Sequence, residues 1–438
     1  MVRQRIVAGG TLAIAILACQ SQATPPAEVT YALSGGQMAL VHTDAAWLQG
    51  DTHVHSMEST DADMRSTPTL IRDTALAQGL EWVVITDHSN ATGSRAHCLD
   101  DPEPNDCVEQ EHLHNLKPEF PTFDTTRSLS DDQLVMVTGN EASPVDLTNL
   151  TPRGHVNVVP RDPAQFDTDW VITDRPSGAV SGGAAIVAAH AHDAMAILNH
   201  PFSPGGATPW VEFDWTNMDY DAVEIYNGGG GYDSGDQRGF VAALCDWTQG
   251  HPVAFVGASD NHRTFVPAPG DLLNPALGDA RTSVLVAELS WPAIVAALQA
   301  RRTIAHDKAS FLEMRATLAG TRYLPGDVVE LAHASRVELE LGGWTDEPAE
   351  VEVLAALDGA CTDGRGRSPA TVEVAWDVVA AFPLASVGPE AGQQPDRFVT
   401  TLDVEPGTTL VARIKRSWKE LGQRGQAIVS PIRFAAAP

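Results

Sequence analysis

Short apolar runs alternate with helical patterns through the first part of the chain. Leu80 to Thr86 and Val253 to Ser259 are almost wholly apolar, as expected for strands buried on both faces. Thr69 to Gln78 and Trp291 to Gln299 show the helical spacing of apolar residues, and Gly79 ends the first of these helices. Because strands that alternate with helices favour parallel neighbours, this pattern predicts a mainly parallel sheet closed into a barrel.

Further short runs predict the other strands of this barrel. They are Leu134 to Thr138, His155 to Val159, Ala196 to Asn199, Ala222 to Asn227 and Thr282 to Glu288. An Ala-rich segment from Ala179 to Met195 predicts another helix, which carries His190 and His192. These two histidines lack the i, i+4 spacing of a helical metal site, so we expect them on the helix surface. Residues 89–130 are polar and predict an insertion between two strands.

The pattern changes from about Phe311. Val337 to Leu341 and Leu410 to Ile414 alternate apolar and polar residues, which is typical of half-buried antiparallel strands. We therefore expect a barrel over residues 47–310 and a β-rich, sandwich-like accessory domain over residues 311–438.

A short apolar run follows two arginines at the amino terminus. Ile6 to Ala18 is too short to span a bilayer and ends at Cys19, in a sequence that resembles a bacterial lipoprotein cleavage site. Cys19 would then carry lipid; the alternative is an ordinary secretory signal cut near Ser21 to Ala23. We expect residues 1–19 to be the signal and 20–46 a tether, which places the protein in the cell envelope, in contact with the membrane only through the anchor.

The chain of 438 residues is strongly acidic. Its 57 Asp and Glu residues against 28 Lys and Arg residues give a net charge of −29. Such a surface repels nucleic acid and anionic lipid headgroups, so neither is an expected partner.

The cysteines allow disulfides if the protein is exported. Cys98 and Cys107 flank a polar, turn-rich loop and are expected to be bridged. Cys245 lies in an apolar helical pattern and is expected to be a buried free thiol, and Cys361 is expected to be free as well. Since no Cys-x-x-Cys occurs, cysteine is not an expected metal ligand.

The candidate chemistry lies where the predicted strands end. His53 and His55 are two positions apart, so on a strand their side chains share a face, and imidazole is the commonest protein ligand for zinc and related ions. Residues able to bind metal then recur in order after later apolar runs: Asp87, His88, Glu141, His155, His200, Asp260 and His262.

This series of motifs resembles the PHP (polymerase and histidinol phosphatase) metallohydrolases, and within them the branch named after carbaryl hydrolase. The resemblance covers roughly Trp47 to Leu312. It implies a distorted (β/α)7 TIM-like barrel with two or three divalent ions, zinc, manganese or iron, at the carboxyl ends of the strands. The family's third ligand, often a histidine, comes six residues after the second histidine, where this chain has Asp61.

The resemblance also implies which residues hold which ion. The first set is His53, His55, Glu141 and Asp260; the second is Glu141, His155 and His200; the third is Asp61, His88 and His262. Glu141 would bridge the first two ions. Asp87 would orient a ligand from outside the coordination sphere.

The amidohydrolases also begin with His-x-His, but most of their binuclear members bridge the metals with a modified lysine. Lys117 is the only lysine between His55 and His200, and it falls in the predicted insertion. Glu141 and the terminal Asp-x-His pair therefore favour the PHP family.

Paired metal ions polarise an ester and lower the pKa of a bridging water, whose hydroxide then attacks. This predicts a hydrolase of small-molecule esters, with a phosphoesterase first, a carboxylate or carbamate ester hydrolase second, and a metal-dependent binding protein with little turnover third. Arg263 could contact an anionic group of the substrate, and Asn227 and Arg161 are weaker candidates.

Overall fold

The computed structural model describes most of the chain beyond residue 44. The described residues are 45–57, 59, 62–63, 65–88, 126–148, 153–164, 180–202, 213, 215, 217–228, 231–264, 275–365, 371–385, 396–415 and 426–437. Cys19, Asp61 and the Cys98–Cys107 pair lie outside these ranges. Ala45–Pro438 forms one compact unit. Within the described ranges, no helix has the length and apolar character needed to cross a membrane.

The first sheet begins with three parallel strands. Its elements are β1 (Ala46–Val54), α1 (Pro68–Ala77), β2 (Trp82–Ile85) and β3 (Val135–Thr138). β1 pairs with β2 and β2 with β3, both in parallel, and α1 makes the first crossover. The Thr67 hydroxyl caps α1 by accepting the Leu70 N–H, and Pro68 occupies the first turn, where a missing N–H costs nothing.

A second sheet continues directly from β3. Its elements are β4 (Asn140–Ala142), β5 (His155–Pro160), α2 (Gly182–Ala191), β6 (Ala194–Asn199), β7 (Ala222–Asn227), α3 (Ser234–Thr248) and β8 (Ala254–Ala258). β4, β5 and β6 are antiparallel neighbours, whereas β6, β7 and β8 are parallel. Only Gly139 separates β3 from β4, so the chain passes directly from the first sheet into the second.

Two more strands flank β1 on its other side. β9 (Ala280–Val286) is antiparallel to β1, and β10 (Thr303–Asp307) is antiparallel to β9, with α4 (Trp291–Gln299) between them in sequence. The described sheets are therefore mixed, and the expected mainly parallel sheet is present only in part, in β1, β2 and β3 and in β6, β7 and β8. Strand direction depends on how the loops reverse the chain, and the apolar periodicity does not record this.

The carboxyl-terminal region is built from short strands. They are β11 (Ser310–Leu318), β12 (Thr321–Tyr323), β13 (Val328–Leu331), β14 (Ser335–Thr345), β15 (Ala349–Leu357), β16 (Cys361–Asp363), β17 (Val372–Val374), β18 (Asp377–Leu384), β19 (Asp396–Val404), β20 (Thr408–Lys415), β21 (Ala427–Val429) and β22 (Ile432–Ala436). Four of them form an antiparallel sheet in the order β12-β11-β14-β19. Others extend the first sheet, because β21 pairs with β10.

These two sheets share one hydrophobic core. Leu339 of β14, Val353 of β15 and Phe434 of β22 are completely buried in it. The alternation predicted for Val337 to Leu341 is present, since Val337, Leu339 and Leu341 are buried whereas Glu338 is exposed. The predicted β-rich region is thus observed, with one of its sheets continuous with the first sheet.

A disulfide joins α3 to the hairpin of β16 and β17. Cys245 and Cys361 are bonded with their Cα atoms 5.2 Å apart, so the expectation that both are free thiols is wrong. The partners are 116 positions apart in sequence, and no local pattern around the buried Cys245 points to Cys361. Arg365 donates to the Asp246 carboxylate at 2.6 Å beside this bond, so an ion pair and a covalent link fix the hairpin to the helix.

Candidate metal centre

All eight described residues predicted to bind metal lie together at one edge of the two sheets. They are His53 and His55 at the end of β1, His88 after β2, Glu141 on β4, His155 on β5, His200 after β6, and Asp260 and His262 after β8. Backbone hydrogen bonds hold the first and last of these segments side by side: Asp260 N donates to His53 O at 3.0 Å, and His55 N donates to Asn261 O at 2.9 Å. The structure therefore brings these eight side chains together.

Two imidazoles and two carboxylates form the middle of the cluster. The Nε2 atoms of His53 and His55 are 3.0 Å apart. Asp260 Oδ1 lies 3.3 Å from the first and 3.2 Å from the second. Glu141 Oε1 lies 3.2 Å from His53 Nε2, and Glu141 Oε2 lies 3.4 Å from His55 Nε2. Ligand-type atoms of four side chains thus lie close together.

Glu141 also faces the other histidines. Its Oε2 lies 3.0 Å from His88 Nδ1, and its Oε1 lies 2.7 Å from His155 Nδ1. His200 Nε2 is 3.7 Å from the same Oε1, to which the Asn199 amide donates at 2.8 Å. Glu141 thus lies between His53 and His55 on one side and His88 and His155 on the other, a position that suits the bridging role that the resemblance implies.

Ligand atoms within 4.8 Å of one another define four overlapping groups. They are His53, His55 and Glu141; His53, His200 and Asp260; His88, Glu141 and His155; and His55, His88 and His262. His88 therefore neighbours Glu141 and His155 as well as His262, and His200 neighbours His53 and Asp260. The position of Asp61 lies outside the described residues.

The protonation states fit a metal centre. Burial alone would raise the pKa of Glu141, but the surrounding imidazoles, His155 and His53 first among them, together hold it well below its usual range. Burial likewise opposes ionisation of Asp260, but His53, His55 and the other nearby imidazoles together outweigh it, so this pKa is also lowered. Burial lowers the pKa of His55 to about 3 and that of His155 to about 4, so both rings are neutral at pH 7. Burial opposes protonation of His53 and His200, but Glu141 and Asp260 outweigh it and raise both pKa values, so metal binding there displaces protons.

Two ligand positions have unusual backbone conformations. His200 has φ +28° and Asp260 has φ +53°, in the left-handed region that side-chain-bearing residues seldom adopt. Such conformations persist where the surroundings fix them, and they concentrate at functional sites. Here they turn the chain sharply after β6 and β8, which brings both side chains back over the strand ends.

The other predicted residues have different surroundings. The Asp87 carboxylate accepts from Ser56 N and Ser56 Oγ, each at 2.6 Å, next to His55. Arg263 is exposed beside His262. The Asn227 amide donates to the Glu224 carboxylate, whereas Arg161 pairs with Asp193 and Asp221.

His190 is half-buried. Its Nε2 lies 2.9 Å from Asp221 Oδ2, so the expectation of a simple helix-surface residue is incomplete. His192 is partly buried at the end of α2. Neither belongs to the groups of ligand atoms described above.

Sequence reasoning missed Glu224, which is 1% exposed on β7. Its Oε1 lies 2.9 Å from His53 Nδ1, on the side of the ring away from the cluster. A signal was available, because Glu224 is the only charged residue within the apolar run from Ala222 to Asn227. A charge at the centre of a buried strand requires partners.

No family model and no curated protein matches the sequence. Among solved structures, it is similar to a two-domain protein from Bacteroides vulgatus containing a predicted PHP-like metal-dependent phosphoesterase. The identity is 15% and the TM-score 0.40, over 93% of this chain and 99% of that one. It is also similar to the lesion-specific endonuclease Q of Pyrococcus furiosus, at 16% identity and a TM-score of 0.37, over 58% of this chain and 56% of that one. With TM-scores below 0.5, both are distant likenesses.

Proposed function

We propose that this protein is a metal-dependent hydrolase of ester bonds, and in the first place a phosphoesterase. One observation carries the proposal: six imidazoles and two carboxylates from separate strand ends converge in one buried cluster. In the described part of the chain, the ion-pair partners of Glu141 and Asp260 are all histidines. No lysine or arginine there neutralises the carboxylates, so divalent cations are the natural counter-charges. The motif resemblance to PHP metallohydrolases supports the same proposal.

The chain supplies the ligands and their orientation. Divalent ions held there would polarise an ester and lower the pKa of a water molecule. Within the coordination sphere, the two carboxylates of Glu141 and Asp260 carry fewer negative charges than two dications carry positive ones, which favours an anionic ligand. Exposed Arg263, next to His262, adds another positive charge at the rim. An anionic phosphate ester suits this balance better than a neutral carbamate.

We also infer that the two sheets are parts of one distorted seven-stranded barrel. Two isolated parallel bridges connect them, Val54 with Asn261 and His88 with Glu141. Since β3 runs into β4 through one glycine, the ring reads β1, β2, β3–β4, β5, β6, β7, β8 and back to β1. The carbaryl-hydrolase branch remains the most similar one by its motifs.

Chromogenic phosphate, carboxylate and carbamate esters should be tested side by side on metal-free and metal-loaded protein. We expect phosphate ester hydrolysis that a chelator abolishes and that zinc, manganese or iron restores. Glu141→Gln should lower the rate by at least two orders of magnitude, as removing a group that touches the reacting centre does. Glu352→Gln, at a buried carboxylate of β15 remote from the cluster, is the matched control and should retain the wild-type rate.

Preferential carboxylate or carbamate ester hydrolysis would replace the phosphoesterase assignment with the second hydrolase class. Stoichiometric metal binding without turnover of any of these esters would instead support a binding protein.

A further inference from the structure

Three nitrogen atoms lie within hydrogen-bond distance of the Glu224 carboxyl oxygens. His53 Nδ1 lies 2.9 Å from its Oε1. His200 N donates to its Oε2 at 2.9 Å, and Asn227 Nδ2 donates to the same oxygen at 2.8 Å. An ionised carboxylate only accepts, so an ionised Glu224 holds the His53 proton on Nδ1. The lone pair of His53 Nε2 then points into the cluster.

The second oxygen acts on a different ligand. Glu224 Oε2 accepts the His200 N–H and so holds the His200 backbone at φ +28°, a conformation that histidine does not intrinsically prefer. One buried carboxylate thus fixes the tautomer of His53 and the backbone of His200. These two residues, with Asp260, form one of the four groups of ligand atoms.

Asn227 in turn connects Glu224 to a helix terminus. Asn227, which donates to Glu224, receives its own main-chain support from Asp236, whose Oδ1 accepts the Asn227 N–H at 2.9 Å. Asp236 and Asp233 form the capping box at the start of α3. The chain of contacts therefore runs from a helix terminus through Asn227 and Glu224 to the ligands.

We propose that Glu224 is a positioning residue that prepares His53 and His200 for metal binding. This inference rests on the metal centre of the proposed function and adds a residue outside the predicted ligand set. A glutamine has one accepting oxygen and one donating nitrogen. If the oxygen faces His53, the nitrogen opposes the N–H groups of His200 and Asn227. If it is reversed, the nitrogen faces His53 Nδ1 and favours the tautomer whose Nε2 cannot coordinate.

Metal affinity is the direct test, measured by calorimetric titration of chelator-stripped protein with Zn²⁺ and with Mn²⁺. Glu224→Gln should bind at least one ion 10- to 100-fold more weakly, the usual effect of losing the partner of a ligating histidine. Glu352→Gln is the matched control, since Glu352 is also a buried carboxylate, paired with Arg413 and Lys415. It should bind both ions like the wild type.

The tautomer of His53 gives a second readout without metal. Nitrogen-15 NMR of the stripped protein, recorded at alkaline pH where the imidazole carries a single proton, should show protonated Nδ1 in the wild type and a shift toward protonated Nε2 in Glu224→Gln. If that variant does not fold, Asn227→Ala removes one donor at a half-buried position and should weaken metal binding in the same direction, by less. Unchanged affinity and tautomer in the substituted protein would overturn the inference. Absence of ion binding by the wild type would overturn the proposed function instead, and the tautomer readout keeps the two failures distinct.

Discussion

Removing the disulfide between Cys245 and Cys361 should lower the free energy of unfolding of the protein. Cys361→Ser removes it at a partly buried position where a hydroxyl is tolerated, while the Arg365–Asp246 pair remains to hold the hairpin. The native contacts are then nearly unchanged, and the main effect is on the unfolded chain, which regains the freedom of a loop of 116 positions. The loop-closure model gives about 5 kcal/mol for a loop of this length.

Guanidinium unfolding followed by tryptophan fluorescence measures this loss. For a chain of this size the dependence on guanidinium is about 5 kcal/mol per molar, so the midpoint should fall by roughly 1 M. Thr362→Ser, in the same hairpin, is the matched control and should unfold like the wild type. Digestion without reductant should release a linked peptide pair from the wild type alone. Equal midpoints for Cys361→Ser and oxidised wild type, with no linked peptides, would refute the reasoning.

Three further predictions concern the metal centre, acid stability and export. Asp61→Ala should lower metal content by about one ion, because two remaining protein ligands are too few, whereas Asp61→His should retain it; equal content by elemental analysis would remove Asp61 from the site. Burial lowers the pKa of His306 to about 4 in the folded protein. As the pH decreases below 6.5, His306 therefore takes up a proton in the unfolded state before it does so in the folded state, and the free energy of unfolding decreases. Between pH 7 and pH 5 the free energy of unfolding should fall by about 2 kcal/mol because of His306. In denaturant titrations, His306→Gln should lose about 2 kcal/mol less over this range than the wild type. The same pH dependence in both proteins would contradict the prediction. Cys19→Ser should release the protein from the membrane fraction, and unchanged association would exclude lipid on Cys19.

Much of the candidate site could be predicted because it depends on local order. Most ligands follow an apolar run, as His88 follows Trp82–Ile85 and His200 follows Ala194–Asn199, whereas His155 begins β5; strand ends on one edge meet in space. The grouping of ligands could not be predicted, since it depends on the turns at His200 and Asp260. Neither residue type signals a left-handed conformation.

The features that were missed depend on distant partners. Cys245 lies in an apolar helix and bonds to a residue 116 positions away. Glu224 reaches His53 across 171 positions, and no spacing rule connects them. The antiparallel pairing of β9 with β1 and β10 likewise follows from loop paths that hydrophobic periodicity does not encode.

The insertion of β21 beside β10 has a consequence for biosynthesis. Ser430, directly after β21, accepts the Phe255 N–H at 3.0 Å. Its hydroxyl also lies 2.7 Å from that of Thr303, a residue 127 positions earlier. On the ribosome, the strands that carry the metal ligands emerge long before the strand that covers this edge. A nascent chain therefore exposes an unpaired sheet edge through a long stretch of translation, a state prone to association with other chains. Fragments that stop before β21 should aggregate on expression even though they contain every predicted ligand.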